Sequence, residues 1–438
     1  MEYEDVLKKL KSSGIDTLKI DFVDYGGFIR SKEEDIDELE DILENGTNTA
    51  KAIMNYTPSG TLARIGSLGV NSDDFTLVPD IDTLSLIPPF AITIGKMYDK
   101  TGKPWEYDLR WQLSNLLSKI KREFNIDFIS AFEYEFYVTK ENKPINDVSC
   151  YEIGGYYGSL IDKFLIELKN TLKSIGIGVM KTLKECGPSQ YEFNIKHSDP
   201  IKTSDSLVFF KDVSKMIGAK YNYEINFMPK PFKEYPGSGL HLNLSAWSKG
   251  NNVFYDEKDD LKISETGYSF IAGILEHAKA LTAIAAPTVN SYKRLVRIPD
   301  MWAPVKIGYG PNNRSTILRI PTPRFSSISR DLRLEYRVPD AASNPYLLFI
   351  AFISAGLDGI ERGLKSPKPV NDNAYENKEL EEIPRDLNEA LNELKKDTVL
   401  INLIGDKIIN EFIAVKKQEL EEYNTIVTNW EFNIYKNL

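Results

Sequence analysis

Apolar residues recur in two periods along this chain, and the switches between the periods mark its elements. Val6, Leu7 and Leu10 fall on one face of a helix predicted over residues 2–13 and closed by Gly14. Thr17–Val23 alternates as a strand, Tyr25–Gly27 turns, and Phe28–Arg30 begins a second strand. An acid-rich helix is expected over Glu33–Glu44, its polar side a solvated face, followed by a loop over 47–75 where no period is visible. Short strands are expected at Thr76–Val78, Leu84–Pro88 and Ala91–Met97. Asp99–Pro104 is rich in turn formers and reads as a linker. Residues 1–103 are therefore expected to form a small N-terminal domain and 104–438 a large one.

Beyond the linker, Asp108 is placed to cap a helix running to Phe124. The strand Ser130–Val138 then alternates strictly. Glu133 and Glu135 share one face, and Phe132, Tyr134 and Phe136 the other. A helix over 159–175 precedes strands at Val179–Leu183 and Tyr191–Ile195, joined through the turn Gly187–Ser189. A helix over 204–221, strands at 226–227 and 239–246, and long helices over 264–285 and 345–364 follow. Asn344 with Pro345 suits an N-cap and a first helical position. Antiparallel-looking strands with helices grouped late give an α+β class.

Composition narrows the function. A chain of 438 residues exceeds one ordinary core, and a net charge of −10 disfavours nucleic-acid and anionic-membrane binding. No apolar run is long enough to span a bilayer, and the acidic, polar start resembles no leader peptide. Two cysteines give no disulfide framework, so a reducing cytoplasm is expected. With three histidines, a metal site must rest mainly on carboxylates, which favours Mg²⁺ or Mn²⁺ over zinc.

Four clusters carry candidate chemistry. Glu133 and Glu135 lie side by side, and Glu185 and Glu192 flank a Gly-Pro turn. Gly237–Ser245 starts as a loop that lets a ligand approach the backbone, then presents His241, Asn243 and Ser245 on one strand face. Arg333, Glu335 and Arg337 alternate, and Lys293, Arg294, Arg314 and Arg319 lie between. Taken singly, each has a plain explanation: a solvated strand face, a structural histidine, a self-neutralising surface strand. His197 reads as surface, His277 as packing or a helix hydrogen bond, and Cys186 beside Glu185 as no nucleophile. No phosphate loop or dinucleotide fingerprint occurs. Carboxylates and a histidine facing several arginines suit metal-assisted phosphoryl transfer.

The order of these motifs resembles the glutamine synthetase family. It runs Glu133-x-Glu135, Glu185 to Glu192 across G-P-x-Q, Phe227-Met-Pro-Lys-Pro231, Gly237-Ser-Gly-x-His241, Pro287–Leu295, Asn313-Arg-Ser315 with Arg319-Ile-Pro321, and Arg333-x-Glu-x-Arg337 followed by Pro339–Tyr346. The resemblance implies an N-terminal β-grasp domain and a catalytic domain built on an open antiparallel β-barrel or sheet flanked by helices. It implies two to three divalent ions, one held by Glu135, Glu185 and Glu192 and another by Glu133, His241 and Glu335. ATP would phosphorylate the γ-carboxylate of glutamate, and an amine would displace the phosphate. Arg294 and the loop from Gly237 would bind glutamate, Arg314 and Arg337 would neutralise the moving phosphoryl group, and Ser245, Arg319 and Arg333 would contact ATP. Rings of six subunits, commonly stacked as twelve, are also implied.

The departures point to the amine. The family's Asp-Gly-Ser-Ser segment, whose aspartate serves ammonium, aligns near Ser59–Ala63, and no Asp or Glu occurs between Lys51 and Ser72. Trp302 stands where the flap glutamate is expected, with Asp300 close by, and Tyr156 matches the tyrosine of the ammonium pocket. Pro236 replaces an asparagine, and Asn243 a second histidine. The expectation is a γ-glutamyl amide ligase for an amine larger than ammonia: a polyamine, an alkylamine or ethanolamine. The alternatives are an ammonia-using glutamine synthetase and a catalytically silent regulatory or structural relative.

Overall fold

The computed structural model describes residues 3–145, 150–151, 159–298 and 302–438. Among them, two sheets organise the chain. The first runs in the order Ile29–Asp35, Thr17–Val23, Phe90–Tyr98, Asp74–Pro79 and Thr47–Ala50, with Ser85–Ile87 also paired to Phe90–Tyr98. Its centre is the parallel pair of Thr17–Val23 with Phe90–Tyr98. Leu18, Ile20 and Phe22 point to the buried face, as the alternation predicted.

Two expectations fail here. The acidic run does not form one helix. Its first residues extend the strand Ile29–Asp35, a 3₁₀ turn covers Ile36–Glu38, and the α-helix is Leu39–Asn45. The stretch read as loop contains the strand Thr47–Ala50 and the 3₁₀ helix Lys51–Asn55. Both strands lie at sheet edges, where charged and polar residues are tolerated and the apolar alternation is lost.

The second sheet runs Lys306–Pro311, Thr316–Ile320, Leu334–Tyr336, Leu240–Ser248, Asp127–Lys140, Gln190–Ile195, Val179–Lys184. It is antiparallel except for the first pair. The motif strand reaches from Asp127 to Lys140, longer than expected. The curled sheet and its helices give the mixed fold that the glutamine synthetase resemblance implied.

Aromatic side chains of the motif strand anchor the helices behind the sheet. Phe132 meets Phe349 at 5.2 Å between ring centroids, and Tyr134 meets Phe210 at 4.6 Å. Phe349 belongs to the helix Pro345–Glu361, capped by Asn344 as expected. That helix packs against Glu265–Glu276 so closely that a Cβ on Gly273 would sit 2.1 Å from the Ala355 carbonyl oxygen. The long helix expected over 264–285 is broken at His277, whose Nδ1 lies 2.6 Å from Asp397 Oδ2 and whose Nε2 lies 3.1 Å from Asp358 Oδ2, both carboxylates placed to accept.

Ionic contacts join the first sheet and the helix Leu109–Phe124 to the helix Pro200–Lys220. Lys19 reaches Asp212 at 2.5 Å, and Arg110 bridges Asp80 and Asp205, each at 2.8 Å. Loop residues 55–67 are held from far along the chain. Glu411 accepts from Ser67 N at 2.9 Å and also from Ser67 Oγ and Asn55 Nδ2. Glu422 accepts from Thr57 at 3.2 Å and from Ser59. Both carboxylates come from the helix Asp406–Asn424.

The cysteine expectation is corrected: Cys150 and Cys186 form a disulfide. Their 36-residue separation gives no local signal, and the sheet strand Val179–Lys184 brings Cys186 to its partner. None of the described helices is long and apolar enough to cross a membrane.

Candidate functional site

Strand register assembles the site. Glu133 is the direct cross-strand partner of His241, Glu135 of Glu192, and Glu335 of both Asn243 and Arg319. Because side chains of paired residues share a face, residues scattered over two hundred positions arrive on one side of one sheet. Phe132, Tyr134 and Phe136 fill the other side, fixing that orientation by burial.

His241 Nδ1 lies 3.0 Å from Glu133 Oε2 and 3.7 Å from Glu335 Oε1, and its Nε2 lies 3.9 Å from Glu135 Oε1. Ligand atoms of Glu133, His241 and Glu335 all fall within 4.8 Å of one another. Asn243 donates to Glu133 Oε1 at 3.2 Å and accepts from Arg333 Nε at 2.8 Å. It thereby ties a carboxylate of the trio to an arginine, a role that the sequence pattern did not disclose.

Glu135, Glu185 and Glu192 gather beside this trio without closing to the same spacing among the described residues. Burial and then the charges of Glu133, Glu135 and Glu185 push Glu192 up to about 9. Burial and then Glu135 raise Glu185 as well. Burial also acts to raise Glu133, but the His241 hydrogen bond and charge outweigh it and hold the group down to about 2. Carboxylates crowded this closely need a cation, and an all-oxygen set with one imidazole suits a hard divalent ion.

Arginines ring the other side. Buried Glu335 receives Arg337 Nη1 at 2.5 Å and Arg319 Nη1. The Nε atoms of Arg319 and Arg337 are buried and have no partner among the described residues, which fits an anion placed between them. Arg314 is exposed, lies over the Trp302 ring at 5.6 Å, and is crowded by Arg319 and Arg337. Arg333 donates to the Asp331 carbonyl at 3.1 Å. Ser245 Oγ accepts from Trp247 Nε1 at 2.8 Å.

Arg294 is buried and donates to the carbonyls of Val338 and Arg337, both at 2.8 Å. Two glycines make its berth: a Cβ on Gly237 would lie 2.7 Å from Arg294 Cγ, and one on Gly239 would lie 3.0 Å from Arg294 Nη2. Trp302, 63% exposed, stands at the open side. Tyr156 and Asp300 lie outside the described residues. Tyr151, overlooked in the sequence, sits among the acids. Its hydroxyl is raised above the ordinary tyrosine value by burial and then by Glu185 and Glu192, and Arg314 acts on it in the opposite direction.

Comparison with known proteins shows the family. The family profile "Glutamine synthetase, catalytic domain" matches residues 106–435. A glutamine synthetase of Methanococcus voltae is 35% identical, with 99% of this chain and 98% of that protein covered. One from Thermotoga maritima is 33% identical, with 99% of each covered. Among solved structures, a GmaS/ADP complex superposes with a TM-score of 0.86 at 28% identity, covering 99% of this chain and 100% of the other. The chain belongs to the glutamine synthetase family, and with it to the ligases that form carbon–nitrogen bonds.

Proposed function

We propose that this ligase joins glutamate to an amine larger than ammonia through a γ-glutamyl phosphate. The family works on glutamate with ammonia or an amine, using ATP and divalent metal ions. The observation that carries the amine reading is the acid-free loop Lys51–Ser72, together with Trp302 on the open side over Arg314. A small dry cation needs carboxylates around it, whereas an alkyl or cationic amine gains from an aromatic face. The structural likeness to GmaS, a γ-glutamylmethylamide synthetase, points the same way.

In this reading Glu135, Glu185 and Glu192 hold one ion, and Glu133, His241 and Glu335 another, as Mg²⁺ or Mn²⁺. The ions, two or three in number, would neutralise phosphate charge and align the γ-phosphate of ATP. Arg314 and Arg337 meet the charge that grows on the transferred group. Arg319, Arg333 and Ser245 orient the nucleotide. Arg294 and the Gly237 loop seat glutamate, and Trp302 packs against the amine; a role for Tyr156 toward the amine rests on the sequence resemblance alone.

An ammonia-using enzyme is the second reading. It is favoured by the curated relatives named glutamine synthetase and by Glu422, which brings a carboxylate to Thr57 and Ser59 from outside the acid-free loop. ATP turnover with glutamate across a panel of ammonia, methylamine, ethanolamine and polyamines separates the two. Turnover with ammonia alone overturns the proposal, and tight nucleotide binding without turnover on any amine indicates a silent relative. We further infer rings of six, as a hexamer or dodecamer. The helix Asn429–Tyr435 leaves Trp430 and Ile434 exposed on one face and Phe432 on the opposite one, apolar surface suited to self-association. A light-scattering mass equal to that of one chain overturns this.

A further inference from the structure

The turn between Glu185 and Glu192 is bonded to the loop Pro236–Gly239 through one side chain. Gln190 is 1% exposed. Its backbone N–H donates to the Gly187 carbonyl at 3.1 Å, and its own carbonyl accepts from Glu185 N at 2.8 Å. Its side-chain Oε1 accepts from Gly187 N at 2.9 Å. Its Nε2 donates to the Gly237 carbonyl at 3.0 Å and to Ser238 Oγ at 3.2 Å. Every polar group of the residue is therefore committed: the N–H, the carbonyl and Oε1 within the turn, and Nε2 to the loop.

The surroundings stiffen both partners. Lys184, wholly buried, donates Nζ to the carbonyls of Glu185 at 2.5 Å and Gly187 at 2.6 Å, which braces the turn from inside. Tyr137 passes beside Gly187 to donate its hydroxyl to the Pro236 carbonyl at 2.7 Å. Only glycine permits that passage, since a Cβ on Gly187 would sit 2.0 Å from the tyrosine oxygen. Gly239 N–H donates to Glu135 Oε2 at 2.7 Å. A braced turn cannot absorb a movement of Glu185 internally, so the movement passes through the Gln190 amide to the Gly237 carbonyl.

We propose that Gln190 is a positioning residue that couples divalent-cation binding at Glu135, Glu185 and Glu192 to the ordering of the Pro236–Gly239 loop. Tyr137 acts as its auxiliary. The proposal rests on the reading above for the place of the cation, but not on the identity of either substrate. Loading the carboxylates would shape the acid-substrate loop before the acid arrives, and by reciprocity a bound acid would tighten the cation by the same factor.

Hydrogen exchange of the full-length protein with and without Mn²⁺ tests this without any substrate. In the native protein, Mn²⁺ slows exchange both in the turn 185–192 and in the loop 229–239. In Gln190→Met, the turn keeps its metal-induced protection while the loop loses it by a factor of about 5 or more, the scale of ordinary site–site coupling. Tyr137→Phe, which keeps the ring packing, loses loop protection by a smaller factor, and it stands as the readout if Gln190→Met folds poorly. A merely structural Gln190 would lower the melting temperature and leave the metal response of the loop intact, and that result overturns the proposal. So does a native protein whose loop ignores Mn²⁺. The larger-amine reading fails separately, in the amine panel.

Discussion

His241 and Glu133 face each other across neighbouring antiparallel strands, with Nδ1 3.0 Å from Oε2. The pair is part of the trio that spans less than 4.8 Å with Glu335. His241→Leu keeps the volume roughly and removes the nitrogen. Loss of a partner of a metal ligand already costs about 10–100-fold in metal affinity, so Mn²⁺ affinity by calorimetry should fall by at least that much. In the native protein, saturating Mn²⁺ should raise the unfolding free energy by about 2.7 kcal/mol at a hundred times Kd. Chelation should remove that gain, and His241→Leu should show most of the loss already.

Glu335→Gln should cost both stability and turnover, whereas Arg314→Ala should cost turnover alone. Glu335 is fully buried and receives two guanidinium groups. Glu335→Gln removes the charge that they face, and breaking a buried ion pair costs about 3–5 kcal/mol. Arg314 is exposed and makes no ion pair among the described residues. Arg314→Ala should leave the melting temperature within a degree or so, while turnover falls about 100-fold or more, the scale for loss of a group that stabilises transition-state charge. Equal effects on melting and turnover in both variants would contradict this division.

Trp302 offers a test on the amine itself. The ring is exposed and makes its contact with Arg314 at 5.6 Å, so Trp302→Ala should cost little stability, about 0.5–1 kcal/mol at most. KM for the preferred amine should rise about tenfold with kcat less affected, since a packing contact made before and during reaction is uniform binding. KM for glutamate should not change.

The buried His277 predicts a pH dependence away from the site. Burial acts to lower its basicity, but the hydrogen bonds and charges of Asp397 and Asp358 outweigh it, and the imidazole is raised above the ordinary 6.5. A group more basic when folded stabilises the fold fully below its unfolded value and stops doing so as pH rises through its folded value. The melting temperature should therefore decline on the alkaline side of pH 6.5. His277→Gln should flatten that slope and lose roughly 1.5–3 kcal/mol at pH 6, the range for hydrogen bonds to charged groups.

What could be read in advance follows a physical division. Caps at Asp108 and at Asn344 with Pro345, and the two faces of the strand around Glu133, depend on neighbours within a few residues, and these the sequence displays. The edge strand Thr47–Ala50 carries no apolar alternation, and the break at His277 depends on Asp358 and Asp397 far along the chain. The Cys150–Cys186 link and the Gln190 bonds to Gly237 and Ser238 likewise depend on a sheet already assembled. Motif order put the six acidic and imidazole positions together, because a family resemblance carries strand register that periodicity alone does not. It could not show that Asn243 joins Glu133 to Arg333.

The clasp of Glu411 on Asn55 and Ser67 also sets an order of events at the ribosome. The partners Asn55 and Glu411 are 356 residues apart. At about 5–20 residues per second, the early loop waits roughly 20–70 s for the helix that fastens it. During that interval the nascent N-terminal sheet can form, but the loop next to Gly60 has no anchor. The helix Asp406–Asn424, made near the end of the chain, is thus the one that fastens a loop made near its start, and a chain released before it would carry that loop unfastened.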